Sequence, residues 1–217
     1  MASNPEFLRE GTAMRDVAEP DRIVVGATAS GVARRVLELY KRIDCPKVET
    51  TIESSELIKY AANAYLAMRL SFVNDIAALS EKTHANIDQV LQGMGMDKRI
   101  GTSFLKPGPG WGGSCFPKDT SALVSIARSV GSALPLVETA IASNRVALDR
   151  AADSIEELVG GDLSNKVVGV WGVAFKANTD DVRDSPALKI IDSLLKRGAT
   201  VQAYDPVALA PEQARLS

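Results

Sequence analysis

The chain has 217 residues, 46% of them hydrophobic, and a net charge of −2, enough apolar material for one large core or two small ones. Its 25 basic residues against 27 acidic ones argue against partners held by bulk charge, so neither nucleic acid nor an anionic membrane is an expected partner. Two cysteines cannot build a disulfide framework, no apolar run reaches the roughly 18–20 residues of a membrane span, and MASNPEFLRE lacks the apolar segment of a secretory signal. A soluble, cytoplasmic protein is expected.

Residues 1–46 are predicted to hold a short polar entry, a strand over 22–25 and an amphipathic helix over 30–42. Val32, Val36, Leu37, Leu39 and Tyr40 form that helix's buried face. One strand and one helix cannot bury a sheet by themselves, so the segment reads as the tail of an α/β unit. Residues 47–160 read as helical. A long helix over 53–82 is announced by Thr50 and Glu53, spaced as a capping box, and is apolar nearly all round. Two apolar faces predict packing on its own domain at one side and on a second subunit at the other, giving a homodimer. A helix over 86–93, a Gly/Pro loop over 106–113, the helix opened by Pro117 and a helix over 136–159 follow.

The pattern changes at Gly160-Gly161-Asp162. Residues 166–171 read as a buried strand, 186–197 as an amphipathic helix stopped by Gly198, and 200–203 as a second strand: a βαβ unit opening a doubly wound sheet. The fold class is therefore α/β overall. An all-α middle domain centred on the long helix (47–160) is flanked by remnants of two Rossmann-like domains (1–46 and 161–217).

The segment GGSCFPKD, residues 112–119, carries the clearest chemistry. Pro117 suits a first helical position, so Cys115 lies just before a helix N-terminus, whose partial positive charge favours thiolate over thiol. Lys118 adds to this effect. The glycines of GPGWGGSC let backbone approach a ligand, whereas a thiol that only fills a core does not need them. Cys45, between Asp44 and Pro46, has no such loop and reads as structural. A hydrolase thiol needs a base, and the one histidine, His84, reads as a surface or helix-terminal residue.

Lys59 and Asn63, spaced i,i+4, share a helix face and could hold an oxyanion or a water; the alternative is a solvated face. Glu6 and Glu10 have the same spacing and are ordinarily a charged first turn. The run AFKANTDDVRDSP, residues 174–186, follows the carboxyl end of a strand, where open α/β sheets bind ligands. Lys176 and Arg183 could pair with phosphates there and Ser185 is the predicted N-cap, against the alternative of a charged surface loop.

NPEFLREG, ESSELIKYAANAYLAMRLSFVNDIA, DKRIG, FLKPGPGWGGSCFPKD, and AFKANTDDVRDSP followed by AYDP occur in this order over nearly the whole chain. Together they resemble the UDP-glucose/GDP-mannose dehydrogenase family. The resemblance implies an NAD-dependent, four-electron oxidation of the C6 alcohol of UDP-glucose to a carboxylate, through a cysteine thiohemiacetal and thioester. It implies that Cys115 is the nucleophile, that Lys59 and Asn63 hold the C6 oxygen, that Asp119 orients water, and that Glu10 helps in base catalysis or thioester hydrolysis. Glu6, Lys118 and Arg183 match positions near the cofactor. Phe7, Leu8, Arg99, Phe104, Leu105, Gly112 and Lys176 match the substrate set, with Arg99 reaching across a dimer interface. No metal is implied.

The family's strand-GxGxxG-helix is not found in this sequence; Gly26 to Gly31 and Gly169 to Gly172 lack the spacing. A fragment is therefore expected, inactive as a dehydrogenase alone. A non-catalytic dimerisation remnant, a GDP-mannose or other UDP-sugar 6-dehydrogenase, and a cysteine hydrolase are the competing readings.

Overall fold

The computed structural model describes residues 1–208 and 215–216. The chain divides into two compact units, residues 1–63 and 64–217.

The first unit holds a three-stranded sheet in the order β1 (Ala2–Ser3), β2 (Ile23–Ala27), β3 (Lys47–Thr50). β1 runs antiparallel to β2, with Ala2 opposite Ala27; β3 runs parallel to β2, with Ile23 opposite Lys47 and Gly26 opposite Thr50. Between β1 and β2 lies the short α1 (Ala13–Ala18). α2 (Ser30–Leu37) and a 3₁₀ turn (Glu38–Tyr40) make the crossover from β2 to β3. The predicted helix over 30–42 thus tightens after Leu37. β3 is an addition to the sequence reading: its KVET is charged and mostly exposed, so it carries no apolar signal. Ile23, Val25 and Ala33 form the core, and Cys45 packs against it, as a structural thiol would.

α3 (Ile52–Thr83) follows at once. Its cap is Thr51, whose Oγ1 accepts from Ser54 N at 3.2 Å and donates to Ser54 Oγ at 3.0 Å. The expected Thr50–Glu53 box is displaced by one residue, because Thr50 is committed to the β3 ladder. A Cβ on Gly26 would lie 2.3 Å from both Ser55 Oγ and Thr51 O, so this glycine lets the start of α3 close on β2.

In the second unit the rest of α3 is joined by α4 (Ile87–Gly95), α5 (Phe116–Ser129) and α6 (Pro135–Leu158). Asn86 caps α4, accepting from Gln89 N at 3.1 Å. His84 is exposed in a left-handed conformation (φ 57°) at the end of α3, where Ala85 N bonds back to Ser80 O. A second sheet, in the order β4 (Val167–Trp171), β5 (Thr200–Tyr204), β6 (Arg215–Leu216), is parallel across β4–β5 and antiparallel across β5–β6. α7 (Pro186–Lys196) makes the β4–β5 crossover. Leu163, Val173, Ile191, Leu194, Val201 and Ala203 form the core with Ala152 of α6. Burying each Leu or Val contributes on the order of 1.5–3 kcal/mol.

β4 is not the buried strand that KVVGVW suggests. Val167 and Trp171 are exposed, and β5 alternates in the same way, with Val201 and Ala203 inward. One face carries α7 and α6, and among the described residues the other is open. No helix of the described residues is long and apolar enough to cross a membrane.

Candidate active site

The first unit places six of the expected site residues. Glu6, Phe7, Leu8 and Glu10 lie on the loop between β1 and α1, and Lys59 and Asn63 stand one turn apart on α3. Lys59, only 15% exposed at its side chain, donates from Nζ to Glu6 O at 2.6 Å and to Glu6 Oε1 at 2.9 Å. Its ammonium also lies 5.6 Å from the Phe7 ring, whose face is covered by the Arg22 guanidinium at 3.9 Å. The loop is held by Asp16, a buried carboxylate of α1. It accepts from Arg9 N at 2.8 Å, from the Arg9 guanidinium and from Thr12 Oγ1 at 3.0 Å. The Arg9 side chain, against the pull of burial, holds this carboxyl at a pKa of about 2.

The second unit builds the cysteine loop from the frame outward. Arg69 donates to the carbonyls of Ile100 and Gly101, both at 2.8 Å, fixing the DKRIG segment. Asn74 Oδ1 accepts from Gly108 N at 2.9 Å. Asn144 takes both backbone groups of Trp111, accepting its N–H at 2.7 Å and donating to its carbonyl at 2.9 Å. Trp111 Nε1 donates to Ser71 Oγ at 2.9 Å, which donates in turn to Ala140 O at 2.9 Å. The glycine loop is therefore pinned by buried polar groups of α3 and α6 that are themselves satisfied.

Cys115 occupies the N-cap position of α5, half-buried, with its Sγ 3.7 Å from Ser114 Oγ. Its carbonyl accepts from Asp119 N at 2.8 Å, and Pro117 falls within the first turn. Asp119 is 1% exposed and pairs with Lys118. Phe104 holds φ 55°, a costly conformation for an aromatic residue, with its ring centroid 6.4 Å from that of Phe116. Leu105 is buried against Val73 and Leu91.

Two glycines of this loop have no room for a side chain. A Cβ on Gly112 would lie 2.0 Å from Asp184 O, and one on Gly113 (φ 84°) would lie 2.6 Å from Phe175 Cε2. The 174–186 run therefore docks directly on the residues before Cys115. Lys176 is exposed on that run, its Nζ 5.5 Å from the Phe175 ring. Ser185 stands at the N-cap of α7 as expected, yet its buried hydroxyl makes no capping bond.

Arg99 and Arg183 share one local geometry. Asp97 accepts from Arg99 N at 2.9 Å, Nε at 3.0 Å and Nη2 at 2.6 Å. Asp181 does the same for Arg183 at 2.9, 3.0 and 2.7 Å. The arginines hold both carboxyls below the usual range.

Three family models match the chain. The NAD binding domain of the UDP-glucose/GDP-mannose dehydrogenase family matches residues 1–44, its central domain 53–146 and its UDP binding domain 169–217. The chain belongs to the UDP-glucose/GDP-mannose dehydrogenase family. It is 46% identical to UDP-glucose 6-dehydrogenase TuaD of Bacillus subtilis, over 100% of this chain and 47% of that protein. It is 49% identical to UDP-glucose 6-dehydrogenase of Rhizobium meliloti, over 95% of this chain and 48% of that one. Among solved structures, a UDP-glucose dehydrogenase from Pyrobaculum islandicum superposes with a TM-score of 0.92 at 42% identity, over 95% of this chain and 48% of that chain. The chain spans about half the length of these relatives.

Members of the UDP-glucose/GDP-mannose dehydrogenase family with an NAD binding domain need a dinucleotide cradle. In this chain Gly26, within β2, is closed against Thr51 and Ser55 at the start of α3. Glu6, Lys118 and Arg183 remain as this chain's candidate cofactor contacts. The supporting residues Asp16, Ser71, Asn74 and Asn144 escaped the sequence reading. For Ser71, Asn74 and Asn144 the available signal was polar residues interrupting the apolar faces of α3 and α6.

Proposed function

We propose that the chain is the catalytic part of an NAD-dependent UDP-glucose 6-dehydrogenase, which oxidises the C6 alcohol of UDP-glucose to the carboxylate of UDP-glucuronate, a donor for polysaccharide biosynthesis. NAD, when bound, accepts a hydride in each of two oxidations. The observation that carries the reading is Cys115, half-buried at the mouth of α5 behind a glycine loop held in place by Trp111, Asn144 and Phe175.

In this reading Glu10 assists removal of the alcohol proton, and Lys59 and Asn63 hold the C6 oxygen. Cys115 adds to the C6 aldehyde, and the C–S bond persists through the second oxidation as a thioester. Asp119 orients the water whose oxygen becomes the second carboxylate oxygen as the thiol is released. Glu6, Lys118 and Arg183 face the cofactor. Phe7, Leu8, Arg99, Phe104, Leu105, Gly112 and Lys176 contact the nucleotide sugar. Residues 1–46, 47–160 and 161–217 act as parts of the cofactor, dimerisation and nucleotide-sugar domains of a cytoplasmic enzyme.

A homodimer through α3 belongs to the same reading. Leu57, Tyr65, Phe72 and Leu79 recur at seven- and eight-residue spacing along this helix and are 52–62% exposed. Such a stripe suits a second copy of the helix.

Joining the chain to a dinucleotide-binding half from a relative tests the function. Two NADH per UDP-glucose, lost in Cys115→Ser, supports it. The 217-residue chain alone is expected to release no appreciable NADH; a joined enzyme that still releases two NADH per UDP-glucose after Cys115→Ser contradicts the proposal.

A further inference from the structure

Asp205 closes β5 in the AYDP segment and is 6% exposed. Its Oδ2 accepts from Val173 N at 2.9 Å and Ala174 N at 3.3 Å, and its Oδ1 from Val207 N at 3.0 Å and Ala208 N at 2.8 Å. One carboxylate thus ties the exits of both parallel strands, reinforced by Gly172 N donating to Tyr204 O at 2.7 Å. The amides of Ala208, Val207 and Val173, outweighing burial, hold this carboxyl at a pKa of about 2. The residue after Ala174 is Phe175, whose ring fills the space beside Gly113, two residues before Cys115. At the far end of the same run, Asp184 O and Pro186 Cδ close on Gly112. The run is further braced by Phe175 N donating to Asp181 O at 3.0 Å.

We propose that Asp205 is a positioning residue for the Cys115 loop: by fixing Val173 and Ala174 it seats Phe175 on Gly113 and so sets where the loop presents its thiol. The proposal rests on Cys115 being the reacting thiol. Every link is a named contact within one unit, and the carboxylate does its work through the backbone.

Asn at 205 would turn its NH₂ toward two of the four N–H donors, so Asp205→Asn loses two of the four bonds in either orientation. Hydrogen exchange of the full 217-residue chain, read by peptide, is the test. Faster exchange is expected at 172–176 and also at 111–119, with β2 unchanged. The alkylation rate of Cys115 by iodoacetamide, relative to Cys45, should rise about threefold or more as the loop uncovers a half-buried thiol that stays at the N-terminus of α5. Unchanged exchange at 111–119 with an unchanged alkylation ratio overturns the proposal.

If Asp205→Asn loosens all of the second unit, Gly113→Ala decides, because coupling between two loops is reciprocal. Pushing Phe175 away must then speed exchange at 172–176, and no change there overturns the proposal. The unsubstituted chain tests the underlying reading separately. Equal alkylation of Cys115 and Cys45 would remove the reactive-thiol reading and leave the loop coupling standing.

Discussion

The ring of Phe175 occupies the place where a side chain on Gly113 would go, 2.6 Å from the position of its missing Cβ. Gly112, its neighbour, is closed off by a backbone carbonyl, that of Asp184, at 2.0 Å. At these two residues the segment carrying Cys115 packs against the segment carrying Lys176 and Arg183.

Alanine at Gly112 has to separate two backbones, whereas a ring can turn aside. Gly112→Ala is expected to cost about 2–4 kcal/mol and Gly113→Ala somewhat less. Gly93→Ala, at a helical position with nothing within 4 Å, is expected to be neutral or stabilising by up to about 1 kcal/mol. Urea denaturation of the three variants checks the order.

Asn144 holds both backbone groups of Trp111, and Ser71 holds its indole N–H. Asn144→Ala leaves both backbone groups of Trp111 without partners in a buried place, and Ser71→Ala strands its indole N–H. Losses of about 2–4 and 1–3 kcal/mol are expected, read as a lowered urea midpoint.

Asp16 and Asp205 are both depressed from 3.8 to about 2 in the fold. Each therefore stabilises the protein fully above its unfolded pKa near 3.8, and that stability is lost as pH falls through about 2. Each is worth on the order of 1–2 kcal/mol, with Asp16 discounted for its exposed partner Arg9. Thermal melts between pH 5 and 2 should fall steeply for the wild type. The slope should flatten in Asp16→Asn, which starts lower at neutral pH.

Much of this was legible beforehand. Pro117 and the glycines before Cys115 announced the helix mouth, and α3 was visible in an apolar period that runs through buried Ala64, Ala67 and Val73 and through the exposed stripe of Leu57, Tyr65, Phe72 and Leu79. What stayed hidden depends on partners distant in sequence. β3 is charged and forms because β2 offers it a ladder, which in turn moves the α3 cap from Thr50 to Thr51. Ser71, Asn74 and Asn144 look like blemishes in apolar faces until the loop they hold is seen. The exposed side of β4 was misread because KVVGVW is apolar on both faces, whereas β5 shows its alternation openly.

The α3 stripe makes a separate expectation. Phe72→Glu, at an exposed position, should leave thermal stability within about 0.5 kcal/mol and turn a dimer into a monomer by size-exclusion with light scattering. A wild-type monomer at high concentration contradicts the dimer.

In the proposed function Cys115 takes the C6 carbon of a UDP-sugar. Native mass spectrometry of the chain with UDP-glucose carrying an aldehyde at C6 tests it most directly. A one-to-one adduct on Cys115 is expected, one that disappears in Cys115→Ser while Cys45 stays unmodified. An adduct that persists in Cys115→Ser, or none on a folded wild-type chain that binds the nucleotide sugar, contradicts it.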